Sequence, residues 1–161
     1  SIWRAGKAAN VFGPQGGLRI SASDLSKIGR LLLGDGEVDG VRLLKPESVR
    51  AMIGPQWRYD GGNGLTLEED DPIRTKGGFT CRYGLAVHTL ASGLPGCGDD
   101  PFGDGVQRVG HSGNAYGLLA GLWVDRKAGT GVVYFSTGND KPEPGEHSAF
   151  SRVEEMGAAG W

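Results

Sequence analysis

Apolar residues recur at helical spacing in two places near the start of the chain. Leu25, Ile28, Leu31 and Leu32 follow Ser21-Ala22-Ser23-Asp24, a Ser-x-x-acid unit of the capping-box form, and Gly34 supplies a C-terminal stop. A second helix is predicted from Pro46, with Val49, Met52 and Ile53 on one side and Gly54-Pro55 as terminator. Between them, Asp35-Gly36 and Asp39-Gly40 flank Glu37-Val38 and predict a short hairpin. Residues 56–80 are polar, acidic and glycine-containing, and read as a long surface loop or insertion.

The pattern then turns to strands. Tyr83–Leu90 carries β-branched and aromatic residues and predicts a strand. Ala91–Asp104 reads as loop, and Val106–His111 as a short strand ending in a Gly-His-Ser-Gly turn. Leu118–Asp125 and Gly131–Thr137 are two more strands, joined across Arg126–Thr130 as a hairpin. Glu146–Met156 predicts a final helix with Phe150, Val153 and Met156 on one side. The expected class is therefore α+β, an antiparallel sheet of three or four strands flanked by helices. The run Leu118–Val124 is too apolar for a strand wet on one face, so both of its faces should be covered. The helices in hand fall short of that, which implies a further partner segment.

Composition narrows the classes. With 161 residues the chain suits one domain or a large piece of one. A formal charge of −2 with no basic stripe argues against nucleic acid or an anionic membrane as partner. No apolar run approaches the ~20 residues of a membrane helix, so no membrane insertion is expected. Thirty glycines, against a usual share of about 7%, lack a Gly-X-Y period and sit in pairs and at segment ends. They mark tight turns and close backbone approach. Cys81 and Cys97 complete no zinc pattern. They are either two ordinary thiols or a disulfide closing a short loop, which would place the protein outside the reducing cytosol.

Candidate chemistry is sparse. The chain has no Gly-x-Ser-x-Gly elbow, no His-Glu-x-x-His helix, no phosphate-binding loop and no Ser three residues before any lysine. Asp99, Asp100 and Asp104 miss the calcium-loop spacing. No metal or other cofactor is expected. His88 and His147 read as structural and surface residues, and Trp57 and Trp123 as core or interface. What remains is Gly110-His111-Ser112-Gly113-Asn114 between two strands.

That stretch, with two others in the same order, resembles the serine hydrolases of the penicillin-recognising group: class C β-lactamases, D-alanyl-D-alanine peptidases, D-aminopeptidases and related esterases. Gly13–Leu25 resembles the family's Gly-Gly-Leu segment running into a Ser/Thr-x-x-Asp-Leu helix, and Gly40–Val49 resembles the turn and helix that follow. Tyr83-Gly84-Leu85, then Gly110-His111-Ser112-Gly113 and the closing hairpin, resemble the strand region bearing the Lys/His-Thr/Ser-Gly triplet. The family's Ser-x-x-Lys nucleophile and Tyr-x-Asn motif lie upstream of these segments and are absent here. The resemblance therefore implies that residues 1–161 are the C-terminal portion of one β-lactamase-like catalytic domain, whose N-terminal segment is the partner.

The resemblance also implies roles. His111 would meet a substrate carboxylate or the tyrosine network, and Ser112 would offer its hydroxyl to the same carboxylate. Gly113 would keep the strand edge bare so that an amide, lactam or ester substrate lies along it. The Asn114 N–H would be one of two oxyanion donors. Gly16 and Gly17 either let the backbone approach the pocket or simply form a turn. The implied compartment is periplasmic or extracellular. The rival reading is a catalytically inactive relative that keeps the fold as a binding or structural module. A third, an N-terminal nucleophile at Ser1, has no base near it in sequence.

Overall fold

The computed structural model describes residues 18–64 and 75–160. Their elements are α1 (Ala22–Leu33), β1 (Glu37–Val38), β2 (Val41–Arg42), α2 (Pro46–Ile53), β3 (Trp57–Arg58), β4 (Arg82–Tyr83), β5 (His88–Thr89), β6 (Val109–Ala115), β7 (Leu118–Asp125), β8 (Thr130–Ser136) and α3 (Arg152–Ala159). The class is α+β. Strands β3 to β8 form one six-stranded antiparallel sheet in sequence order, and β1–β2 is a separate small hairpin.

The helices start where local chemistry tells them to. The Ser21 hydroxyl accepts the Asp24 N–H at the head of α1, and Pro46 occupies the first turn of α2, where its missing N–H costs nothing. The β1–β2 turn places Asp39 and Gly40 both at positive φ, the geometry that a two-residue hairpin requires.

Helices cover the sheet from both sides. In β7 the side chains alternate. Leu122 and Val124 lie under Gly29 of α1, where a Cβ would sit 3.1 Å and 3.2 Å from their methyls. Val124, Leu32 and Val49 form one core cluster. Trp123 points the other way, into a second cluster with Leu90, Tyr134 and Phe150. Trp123 and Phe150 meet edge to face at 6.0 Å, and His88 packs 5.5 Å from Trp123. The Tyr134 ring lies between Gly121 of β7 and Gly157 of α3, both so close that an added methyl would overlap it. This two-sided burial explains why β7 reads as an unbroken apolar run.

Several boundaries differ from the sequence pattern. The single strand expected over Tyr83–Leu90 is two short strands around a turn. Gly84 donates to the Val87 carbonyl, Ala86 takes positive φ, and the Leu85 N–H is captured by the Met52 carbonyl at the end of α2. A side chain at Gly84 would strike that same carbonyl. The final helix begins at Arg152, not Glu146. Its N-cap is Ser151, paired reciprocally with Glu154 in a capping box. Phe150 is buried just before the helix, and Met156 faces out. The preceding residues are gathered by the buried Glu155 carboxylate, which accepts the N–H groups of Glu146, His147 and Ser148 and the Ser148 hydroxyl. Within the expected loop 56–80, Trp57 and Arg58 pair with β4, while residues 65–74 lie outside the described residues.

Cys81 and Cys97 are joined by a disulfide. It sits beside the Gly78–Cys97 bridge and ties the approach to β4 to the loop before β6. Denatured, unreduced protein from an oxidising compartment is therefore expected to show no free thiol on Cys81 or Cys97. Reduction is expected to lower stability by up to about 3 kcal/mol, measured as a drop in denaturation midpoint, because the unfolded chain regains the loop's entropy.

Entry into β6 is braced by Arg108. Its guanidinium forms two 2.8 Å bonds with the Asp104 carboxylate and lies 3.7 Å over the Phe102 ring. The Arg108 hydrogen bond holds the Asp104 carboxyl well down, at about 2. The folded state thus favours the ionised form. The resulting stability is present above the ordinary carboxylate range and is lost as pH falls from about 4 through about 2. Asp104→Asn is expected to flatten that acid-side decline in a pH series of melting midpoints. Because Asp104 is partly exposed, it should cost less than about 1 kcal/mol at pH 7.

Candidate functional site

The His-Ser-Gly stretch expected to end a strand lies inside one. β6 runs from Val109 to Ala115, and the turn comes afterwards at Tyr116 and Gly117, both at positive φ. Glycine-rich sequence reads as a turn, yet here Gly110 is required by packing. A Cβ on it would lie 1.7 Å from the Leu122 carbonyl oxygen and 2.9 Å from the Trp123 ring. Pairing with the apolar β7 over seven residues overrides weak strand propensity.

The register on the other side of β6 makes an edge. β5 pairs only with Val109 and Gly110, and the Leu90 N–H donates to the Arg108 carbonyl at 2.8 Å. Residues 108 and 110 therefore turn their backbone groups toward β5, and strand alternation sends those of Ser112 and Asn114 the same way. β5 has by then folded back at Val87. Among the described residues no strand pairs with Ser112 and Asn114 on that side.

Four of the residues singled out in the sequence thus come together. His111, Ser112, Gly113 and Asn114 occupy one strand. His111 and Gly113 share the α1 face with their partners Leu122 and Ala120, while Ser112 and Asn114 pair with Gly121 and Leu119 on the reverse face. Gly16 and Gly17 lie outside the described residues. A cavity of about 310 Å³ opens against this stretch of β6. Leu25, Ile28 and Leu32 of α1, Met52 of α2 and Val87 line it, and among the described residues no Asp, Glu, Lys or Arg does. A separate cavity of about 270 Å³ lies between α1 and the β7–β8 strands, with Arg30 in its wall, away from His111.

The imidazole of His111 is held at both nitrogens. Its Nδ1 lies 2.5 Å from the Ser112 carbonyl oxygen, and its Nε2 lies 2.6 Å from the Tyr83 hydroxyl. A carbonyl only accepts, so Nδ1 carries a proton and donates; in the neutral ring Nε2 then accepts from the Tyr83 O–H. Burial pushes the Tyr83 phenol above its ordinary range, so it remains a donor. Tyr83 is the site residue that residue spacing misses. It lies 28 positions from His111 and reaches it only because the β4–β5 hairpin folds beside β6.

Among the described residues no group of three or more His, Cys, Asp or Glu could hold a metal ion. Nor, among them, is any helix long and apolar enough to cross a membrane. His88 is buried against Trp123 and Phe150, and His147 contacts the Pro101 carbonyl and Glu155; neither lines the cavity at β6.

No family model matches the chain, and no solved structure matches it. Two curated proteins of Mycobacterium tuberculosis, the uncharacterized protein MT1414 and protein Rv1367c, are each 62% identical to it over 37 residues. That stretch is 23% of this chain and spans only 9% of the length of either relative.

Proposed function

We propose that this chain is the C-terminal part of a β-lactamase-like serine hydrolase that works through an acyl-enzyme on a small amide, lactam or ester. In this reading an upstream segment of the same protein supplies the nucleophile, and β6 supplies the wall along which the acyl group lies. The observation that carries it is the open edge at Ser112 and Asn114, set over a cavity and beside a positioned imidazole. A strand edge with free N–H groups pairs with an extended amide or ester as an added strand would, and the Asn114 N–H is available to an oxyanion. One such donor is worth about 3 kcal/mol of transition-state stabilisation in comparable sites. The finer fold assignment, β-lactamase/transpeptidase-like, rests on the same features together with the residue resemblance. The disulfide favours an exported protein.

The test is active-site labelling of the full-length protein with a fluorophosphonate, followed by peptide mass mapping. The expected result is one covalent adduct on a serine upstream of Ser1, suppressed by prior incubation with a β-lactam or an aryl ester. Failure of any serine to label would overturn the hydrolase reading in favour of a non-catalytic binding module. Labelling at a serine within residues 1–161 would move the nucleophile and refute the division of roles.

A further inference from the structure

We propose that Arg58 and Arg82, opposed across β3 and β4, form a binding site for a phosphate group. Neither arginine lines the cavity at β6, and the proposal holds whether or not the protein hydrolyses acyl compounds.

Three observations lead to it. Arg58 is the antiparallel partner of Arg82 at the β3 end of the sheet, so their side chains leave the same face next to one another. Like charges directly opposed across a strand pair repel and destabilise it. Among the described residues no ion pair includes either guanidinium. The acid closest to Arg58 in sequence, Asp60, turns its carboxylate into its own loop, where it accepts the N–H groups of Gly62 and Asn63. Finally, Arg82 is half-buried, and its Nε is buried with no hydrogen-bond partner. A buried donor left unmet costs free energy and marks a place that a group from outside can complete.

The choice of anion follows from the number of donors. A carboxylate has two oxygens, and a single guanidinium fork occupies both. A phosphate group has three or four, enough to take a bidentate pair from each arginine. Arg58 is exposed and open to an arriving anion, while Arg82 is the partly dehydrated half of the pair, where charge is less screened. A bound phosphate also cancels the repulsion between the two strands. Free inorganic phosphate and a phosphate ester of a larger molecule present the same chemistry to these two side chains.

The experiment titrates the full-length protein by calorimetry, at constant ionic strength, with inorganic phosphate, phenyl phosphate and succinate. Inorganic phosphate and phenyl phosphate are each expected to bind at least about 5-fold more tightly than succinate. Arg58→Gln is expected to weaken phosphate binding about 10-fold, and Arg82→Gln at least as much. Arg58→Lys keeps the charge and loses the fork, and should recover only part of that loss. Arg58 is exposed, so its variants decide the matter even if Arg82→Gln does not fold. Lys127→Gln removes a cation from the exposed β7–β8 turn and should leave binding unchanged. Tighter binding of phenyl phosphate than of inorganic phosphate identifies an ester as the source; equal or weaker binding identifies the free ion. Failure of both phosphates to bind would overturn the proposal, as would an equal loss in Lys127→Gln. So would phosphate binding that arises only after Glu68, Glu69, Asp70 and Asp71 are neutralised together, because the arginines would then have their counter-charge within the chain.

Discussion

Gly113→Val in the full-length protein is expected to lower kcat/KM for acyl transfer by roughly 100–1000-fold while leaving the melting midpoint nearly unchanged. Gly113 lies in β6 opposite Ala120, and a Cβ built on it meets only the Ala120 methyl, at 3.5 Å, an ordinary contact. The strand therefore tolerates a side chain there. Under the proposed function the substrate would not, because the valine methyls project from the α1 face into the cavity beside His111. The loss should apply to neutral and charged substrates alike, since it is steric. Gly113→Ala, one methyl without branches, is expected to lose less than about 10-fold. Steady-state kinetics with two esters of different charge, alongside thermal melts, check both halves. Retained activity in Gly113→Val would mean that the acyl group does not run along this edge.

Three residues earlier, Gly110→Ala is expected to do the opposite. A Cβ at Gly110 would sit 1.7 Å from the Leu122 carbonyl oxygen, which belongs to the backbone of β7 and has no rotamer to escape into. The strand pair must separate locally, with Trp123, fully buried, displaced as well. Overpacking of this kind commonly costs about 1–3 kcal/mol, and a backbone clash within the central ladder should lie at or beyond the upper end. Chemical denaturation of Gly110→Ala against the unmodified protein measures it. A change below about 1 kcal/mol would show that β6 and β7 do not pair in this register. Two glycines on one strand thus serve different ends: Gly110 keeps strands close, and Gly113, under the proposed function, keeps a ligand path clear.

The contrast bears on how much of the molecule could be read from its residues. α1, α2, the β1–β2 hairpin, β7 and β8 carry their own local signals: Ser21 and Pro46 at helix starts, Asp39-Gly40 at a turn, and an apolar run long enough to be a buried strand. β4 and β5 have two residues each, too few for any period to show, and exist because the end of α2 captures Leu85 and the turn at Ala86 folds the chain back. The start of α3 is present as Ser151-x-x-Glu154, but the apolar Phe150 draws the expected helix six residues too early. His111, Ser112, Gly113 and Asn114 were legible as candidates, though as a turn. Their strand conformation is a tertiary effect of pairing with β7. The Tyr83–His111 contact had no local signal, since it depends on which hairpin lands beside which strand.

The most direct test of the account is a crystal structure of the full-length protein trapped as its phosphonate or β-lactam adduct. The account predicts the adduct on an upstream serine. The oxyanion-like oxygen should lie about 2.7–3.1 Å from the Asn114 N–H, and the acyl group along Ser112–Asn114. An adduct oxygen with no contact to Asn114, or an acyl group seated away from β6, would contradict it.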